Sequence, residues 1–144
     1  MLEITKGEID DLENVRVFYA KCDYDGGVRQ EDYVFLAKIN EELVGVVRLC
    51  PEMNVLVLRG MQVLPKFQGK GIGTQLLESC HDYLAQRSCY CIPWRHLHSF
   101  YEQIGFQLIS PTKLPDFLAR RLEKYIAKNM NVIPMYKPGK SINS

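Results

Sequence analysis

The chain has little of what marks several large protein classes. Its 18 basic and 17 acidic residues leave a formal net charge of +1, which offers no basic surface to nucleic acid or to an anionic membrane. No apolar run approaches the roughly 18 residues of a membrane span. The start, Met1-Leu2-Glu3-Ile4-Thr5-Lys6-Gly7-Glu8, has no basic segment followed by an apolar one, so no signal peptide is expected. The five cysteines, at 22, 50, 80, 89 and 91, are odd in number and form no Cys-x-x-Cys pair. Reduced thiols in a cytoplasmic protein are the simplest reading. Cys89-x-Cys91 with the nearby His96 and His98 fits no common zinc spacing, and no metal is expected.

What is present suits one globular domain over residues 1–144. A length of 144 residues with 47% hydrophobic content can bury a real core. No repeat, linker or second domain interrupts it, and residues 137–144 read as a polar, frayed tail. Thr5 with Glu8 is a capping box for a helix over about 6–21, with Ile9, Leu12, Val15, Phe18 and Tyr19 as its apolar stripe. Cys22 to Gln30 is a loop, whose Asp23 and Asp25 either face solvent or attract a cationic acceptor. Strands follow at 33–39 and 43–49, with Gly45 marking a bulge or a close backbone approach. The almost continuously apolar Val55 to Leu64 is a longer strand with a bulge at Gly60. After it come a helix from Ile72, a strand at Cys89–Ile92, a short helix over 95–103 capped by Gly105, and a strand at 106–109. An amphipathic helix to about 128 and a last strand at 131–136 complete the order. That helix could either cover the core or join two copies as a homodimer. The fold class is therefore α/β, a mixed sheet of about seven strands with helices on both faces.

The centre of this pattern is Gln68-Gly69-Lys70-Gly71-Ile72-Gly73-Thr74, between an apolar strand and an amphipathic helix. Three glycines at alternate positions suggest a turn that needs small size or positive φ. At a helix start the first four N–H groups lack intrahelical partners, and the helix dipole adds about half a positive charge. Such a place binds phosphate. The Walker pattern fails because position 64 is Leu and Lys70 is followed by Gly71, and the dinucleotide fingerprint fails because its last glycine would fall on Thr74 or Leu76.

The loop resembles the pyrophosphate-binding Gln/Arg-x-x-Gly-x-Gly/Ala segment of the GCN5-related N-acetyltransferase (GNAT) family. Phe100-Tyr101-Glu102-Gln103-Ile104-Gly105-Phe106 is similar to the same family's Tyr-Glu-Lys-x-Gly-Phe. The resemblance covers roughly residues 2 to 110. It implies a GNAT-like acyl-CoA N-acyltransferase fold whose two central parallel strands splay apart. It also implies acetyl transfer from acetyl-CoA to an amine acceptor, small molecule or protein. Gln68, Gly69, Lys70, Gly71, Ile72, Gly73 and Thr74 would hold the pyrophosphate. The backbone of Gln62, Val63 and Leu64 would pair with the pantetheine arm, and the Val63 N–H would face the thioester oxygen. Tyr101 would protonate the departing thiolate. Arg59, Trp94 and His98 are candidate acceptor-site residues, but no general base stands out. Trp94 departs from the family, many members of which carry Asn seven residues before the motif tyrosine. The alternatives are a non-catalytic acyl-CoA-binding module and transfer of a longer acyl group.

Overall fold

The computed structural model describes residues 1–139. They form two compact units, Met1–Ala85 and the segment from Gln86 on.

The first unit is a four-stranded antiparallel sheet with two helices. Strand β1 is Leu2–Lys6, β2 Tyr33–Ile39, β3 Glu42–Glu52 and β4 Val55–Val63; helix α1 is Leu12–Lys21 and α2 Ile72–Leu84. The strands follow chain order, β1-β2-β3-β4. Alternate residues of a strand face opposite sides. On one side Val34, Leu36 and Val46 pack with Val15, Phe18 and Tyr19 of α1. On the other, Leu76 and Ile72 of α2 lie 3.0 and 3.3 Å from where a Cβ on Gly45 would stand, and Tyr83 stacks edge-on against Phe35. Burial on both faces explains why β2 and β3 read as continuous apolar runs rather than alternating ones. Fully burying Leu76 or Leu77 contributes about 1.5–3 kcal/mol each.

Both glycine expectations hold here. Gly45 is the close approach to α2, and the register beside it shifts between Ala37 and Lys38. At Gly60, with φ +70°, Val46 pairs with Gln62 but Arg48 pairs with Arg59. Gly60 and Met61 together thus oppose Val47, which is a β-bulge.

The first helix differs from expectation. Thr5 belongs to β1, and the capping box is formed instead by Glu8 and Asp11 around a 3-10 turn at Ile9–Asp11. The chain becomes α-helical only at Leu12, and Ile9 is 61% exposed, outside the buried stripe. Pairing of Lys6 with Phe35 holds the first residues in the sheet, so tertiary pairing overrides the local cap signal.

The second unit has β5 at Cys89–Cys91, β6 at Gln107–Leu108 and β7 at Met135–Lys137, with antiparallel β7 between the other two. Its helices are α3, His98–Glu102, and α4, Asp116–Ala127. Cys89 and Cys91 are buried on one side of β5, as their spacing implied. The last strand is shorter than expected, because Pro134 precedes it and only an isolated bridge joins Val132 to Trp94. Lys137, read as the head of a frayed tail, ends β7 and is buried; residues 140–144 of that tail lie outside the described residues.

Candidate functional site

Strand β4 leaves the sheet at Val63. The N–H of Leu64 donates to Val44 O at 2.9 Å across the Gly45–Val63 pair. That pattern makes Gly45–Val63 a pair without mutual hydrogen bonds, so the Val63 N–H and C=O point away from β3. The carbonyl is met by the Gln68 side chain, whose Nε2 donates to Val63 O at 2.9 Å. Gln68 therefore folds back from the glycine loop and ties it to the strand end, across a 3-10 turn at Pro65–Phe67.

The loop needs its glycines. Gly69 has φ +77° and Gly71 φ +82°, and a Cβ at either would meet no atom within 4 Å. The conformation, rather than crowding, excludes side chains there, and the space outside the backbone is open. Gly71 is the N-cap of α2 with no side-chain cap and no acidic residue in the first turn. The first intrahelical bond is Gln75 N–H to Gly71 O, 3.1 Å. The N–H groups of Ile72, Gly73 and Thr74 precede it at the positive end of a 13-residue helix. Such a row of donors at a helix start is suited to an anion. Lys70 sits with its Nζ 6.0 Å from the Phe67 ring centre, and Lys66, which sequence reasoning passed over, at 5.3 Å from the same ring. Both place positive charge beside the loop.

Arg59, on β4, has its Nη1 3.5 Å from Glu52 Oε2. Its charge is matched within the sheet by that carboxylate.

Sequence reasoning missed Arg48. It stands opposite Arg59 on β3, fully buried. Its Nη1 donates to Asp32 Oδ2 at 3.0 Å and to Gly27 O at 2.9 Å, and its Nη2 donates to the Tyr24 hydroxyl at 3.2 Å. Its guanidinium carbon lies 5.4 Å from the Tyr19 ring centre. Burial works against the charge, but Tyr19, Cys50, Tyr24 and Asp32 outweigh it and raise the pKa, so Arg48 is a cation. Burial likewise raises the Tyr19 hydroxyl, more than Arg48 lowers it, which keeps it a donor. The same burial pushes the Cys50 thiol up to about 12. The signal in the sequence was one arginine inside Leu43-Val44-Gly45-Val46-Val47-Arg48-Leu49-Cys50, an otherwise apolar strand. A charge there is almost never buried unpaired.

In the second unit, Tyr101 is buried on α3 between Phe100 and Phe106, with ring centres 5.0 and 6.0 Å away and both arrangements edge-on. His98, one turn earlier, has its Nε2 3.6 Å from Glu102 Oε2. Trp94 is 44% exposed just before a 3-10 turn, and next to it Arg95 Nε donates to Asn131 Oδ1 at 3.0 Å. Gly105, with φ +101°, lets the chain turn after α3, as expected of it. The structure thus gathers Arg59, Gln62, Val63, Leu64 and the 68–74 loop in one unit, and Trp94, His98 and Tyr101 in the other.

The fold these elements make is the acyl-CoA N-acyltransferase fold, a mixed sheet of seven strands with helices. The family profile described as acetyltransferase (GNAT) domain matches residues 30–108, more than half of the chain, and the chain belongs to that family. Among solved structures it is similar to the N-acetylglutamate synthase of Neisseria gonorrhoeae complexed with coenzyme A and L-arginine, at TM-score 0.70 and 15% identity. That match covers 97% of this chain but 34% of the synthase, so the chain spans about a third of that relative's length. A GNAT acetyltransferase of Streptococcus pneumoniae matches at TM-score 0.69 and 16% identity, covering 95% of this chain and 98% of that one. Arabidopsis thaliana Naa50, in complex with a bisubstrate analogue CoA-Ac-MVNAL, matches at 0.67 and 14%, covering 94% and 97%. No curated protein matches the sequence. Among the described residues, no helix is long and apolar enough to cross a membrane.

Proposed function

We propose that the chain is an N-acetyltransferase that moves an acetyl group from acetyl-CoA to a primary amine. The observation that carries this reading is the glycine loop. It combines positive φ at Gly69 and Gly71, an uncapped start of α2 and open space over the backbone. The pyrophosphate fits the donor row from Gly71 to Thr74, with Lys70 and Lys66 adding charge. The arm of the cosubstrate extends along Gln62, Val63 and Leu64.

The reaction asks little covalent chemistry of the protein. The neutral amine attacks the thioester carbonyl, the C–N bond forms, the C–S bond breaks, and the pair of electrons leaves on sulfur. Negative charge develops first on the carbonyl oxygen. The Val63 N–H, directed away from β3, is the donor proposed to stabilise it. Tyr101 gives its hydroxyl proton to the thiolate as it leaves, and solvent restores it. A phenol near pKa ~10 and a thiol near ~8.5 are close enough for this transfer to be brief. The proton lost by the amine passes to solvent. Arg59, Trp94 and His98 remain the proposed acceptor-side residues. Five free cysteines support residence in a reducing compartment, and we assign the cytoplasm.

A calorimetric titration with acetyl-CoA, beside ATP and NAD, tests the loop. Selective micromolar binding of acetyl-CoA, followed by amine-dependent thiol release, supports the enzyme. Selective binding without turnover on any amine identifies a binding module instead. No binding removes the reading.

A further inference from the structure

We propose that Tyr19 is a positioning residue: its hydroxyl, held in place by the buried Arg48–Asp32 pair, pins the Gly60 bulge and so aims the Val63 N–H at the acetyl thioester. The inference rests on the proposed use of acetyl-CoA.

The bulge decides which way Val63 faces. Continuing the Arg48–Arg59 pairing without an extra residue would set Val44, not Gly45, opposite Val63. A slip of one residue reverses every side chain and every N–H beyond it. With Gly60 and Met61 both opposite Val47, the Val63 N–H turns away from β3; without the bulge it would turn toward β3.

A bulge frees a backbone carbonyl from the ladder, and a buried carbonyl needs another donor. Here the Tyr19 hydroxyl donates to Gly60 O at 2.9 Å. Tyr19 comes from α1, 41 residues away, and cannot do this alone. Its ring is contacted by Tyr24, with centres 4.7 Å apart, and by the Arg48 guanidinium at 5.4 Å. Arg48 is in turn fixed by Asp32, Gly27 and Tyr24. Gly60 completes the fit, because a Cβ there would overlap the Tyr19 hydroxyl and stand 3.1 Å from Arg48 Nε. The loop between α1 and β2 therefore acts on β4 through one phenol.

The test removes one oxygen. In Tyr19→Phe the ring contacts stay and the bond to Gly60 O is lost. Carbonyl-labelled acetyl-CoA bound to wild type and variant is compared by carbon-13 NMR, since that shift follows hydrogen bonding to the thioester oxygen. Calorimetry with CoA, which lacks the acetyl group, runs beside it. The expected result is CoA affinity within about twofold of wild type, a carbonyl shift moved toward the free value, and kcat on any accepted amine down about tenfold or more. Gly60→Ala, which displaces the hydroxyl from the other side, should move the shift in the same direction. An unchanged shift and kcat in a Tyr19→Phe protein that binds CoA normally would overturn the positioning role alone. Failure of wild type to bind CoA would overturn the acetyl-CoA reading itself, and the positioning role with it.

Discussion

Removing the Asp32 carboxylate should be among the most damaging single changes outside the site. Asp32→Ala leaves the Arg48 guanidinium, 1% exposed, without its counter-ion at 3.0 Å. At an effective dielectric near 20 the pair attraction is about 5 kcal/mol, partly offset by the desolvation of both ions. Breaking such a pair from one side typically costs about 3–5 kcal/mol, because a buried charge is stranded. Asp32 also accepts from the Arg29 N–H at 2.8 Å, a bond that contributes about 1 kcal/mol more. The total is about 4–6 kcal/mol, and for 144 residues the unfolding entropy is about 0.3 kcal/mol/K, so Tm should fall by roughly 13–20 °C. Pairing the change with Arg48→Met removes both charges and should recover at least half of the loss, as apolar replacements of buried pairs commonly do. Scanning calorimetry and urea unfolding of the two single variants and the double would measure this. A single-variant loss under about 1 kcal/mol, or strictly additive losses, would show that the pair is not the anchor described.

Gly71→Glu should abolish acetyl-CoA binding in a folded protein, since φ +82° disfavours any side chain and a carboxylate repels phosphate; calorimetry with retained far-UV dichroism checks it. Tyr101→Phe should keep acetyl-CoA affinity and lower kcat at neutral pH by about 100-fold, within the usual range for a general acid; equal kcat, with chemistry shown to be rate-limiting, would remove Tyr101 from the reaction. Cys50 gives an alkaline signature. Its folded value is raised to about 12 from an ordinary 9.0, so its contribution is complete below about pH 9 and is lost as pH rises toward 12. Relative to Cys50→Ala, wild type should lose up to about 1.4 kcal/mol per pH unit in that window, read from urea midpoints; parallel curves would refute the burial argument.

The glycine loop, the amphipathic 72–84 helix and the Gly60 bulge were legible in the sequence. Each is written in local terms: a backbone angle that only glycine adopts readily, or a hydrophobic period along one element. The family resemblance rested on the same local segments, which is why it survived low overall identity. Thr5 misled because a cap is judged only from neighbours, while pairing of β1 with β2, more than thirty residues on, fixed that residue as strand. The lone charge of Arg48 in an apolar strand was legible, but what it binds was not, for the same reason. Its partners, Tyr19, Tyr24, Gly27 and Asp32, lie 16 or more residues away, so no spacing announces them. Where the chain turns, which faces are apolar and where a helix begins without a side-chain cap are written in neighbouring residues. Which polar groups are buried together and which way the strand end faces are fixed only in the folded chain. Those depend on contacts distant in the chain, which the folded state alone brings within bonding range.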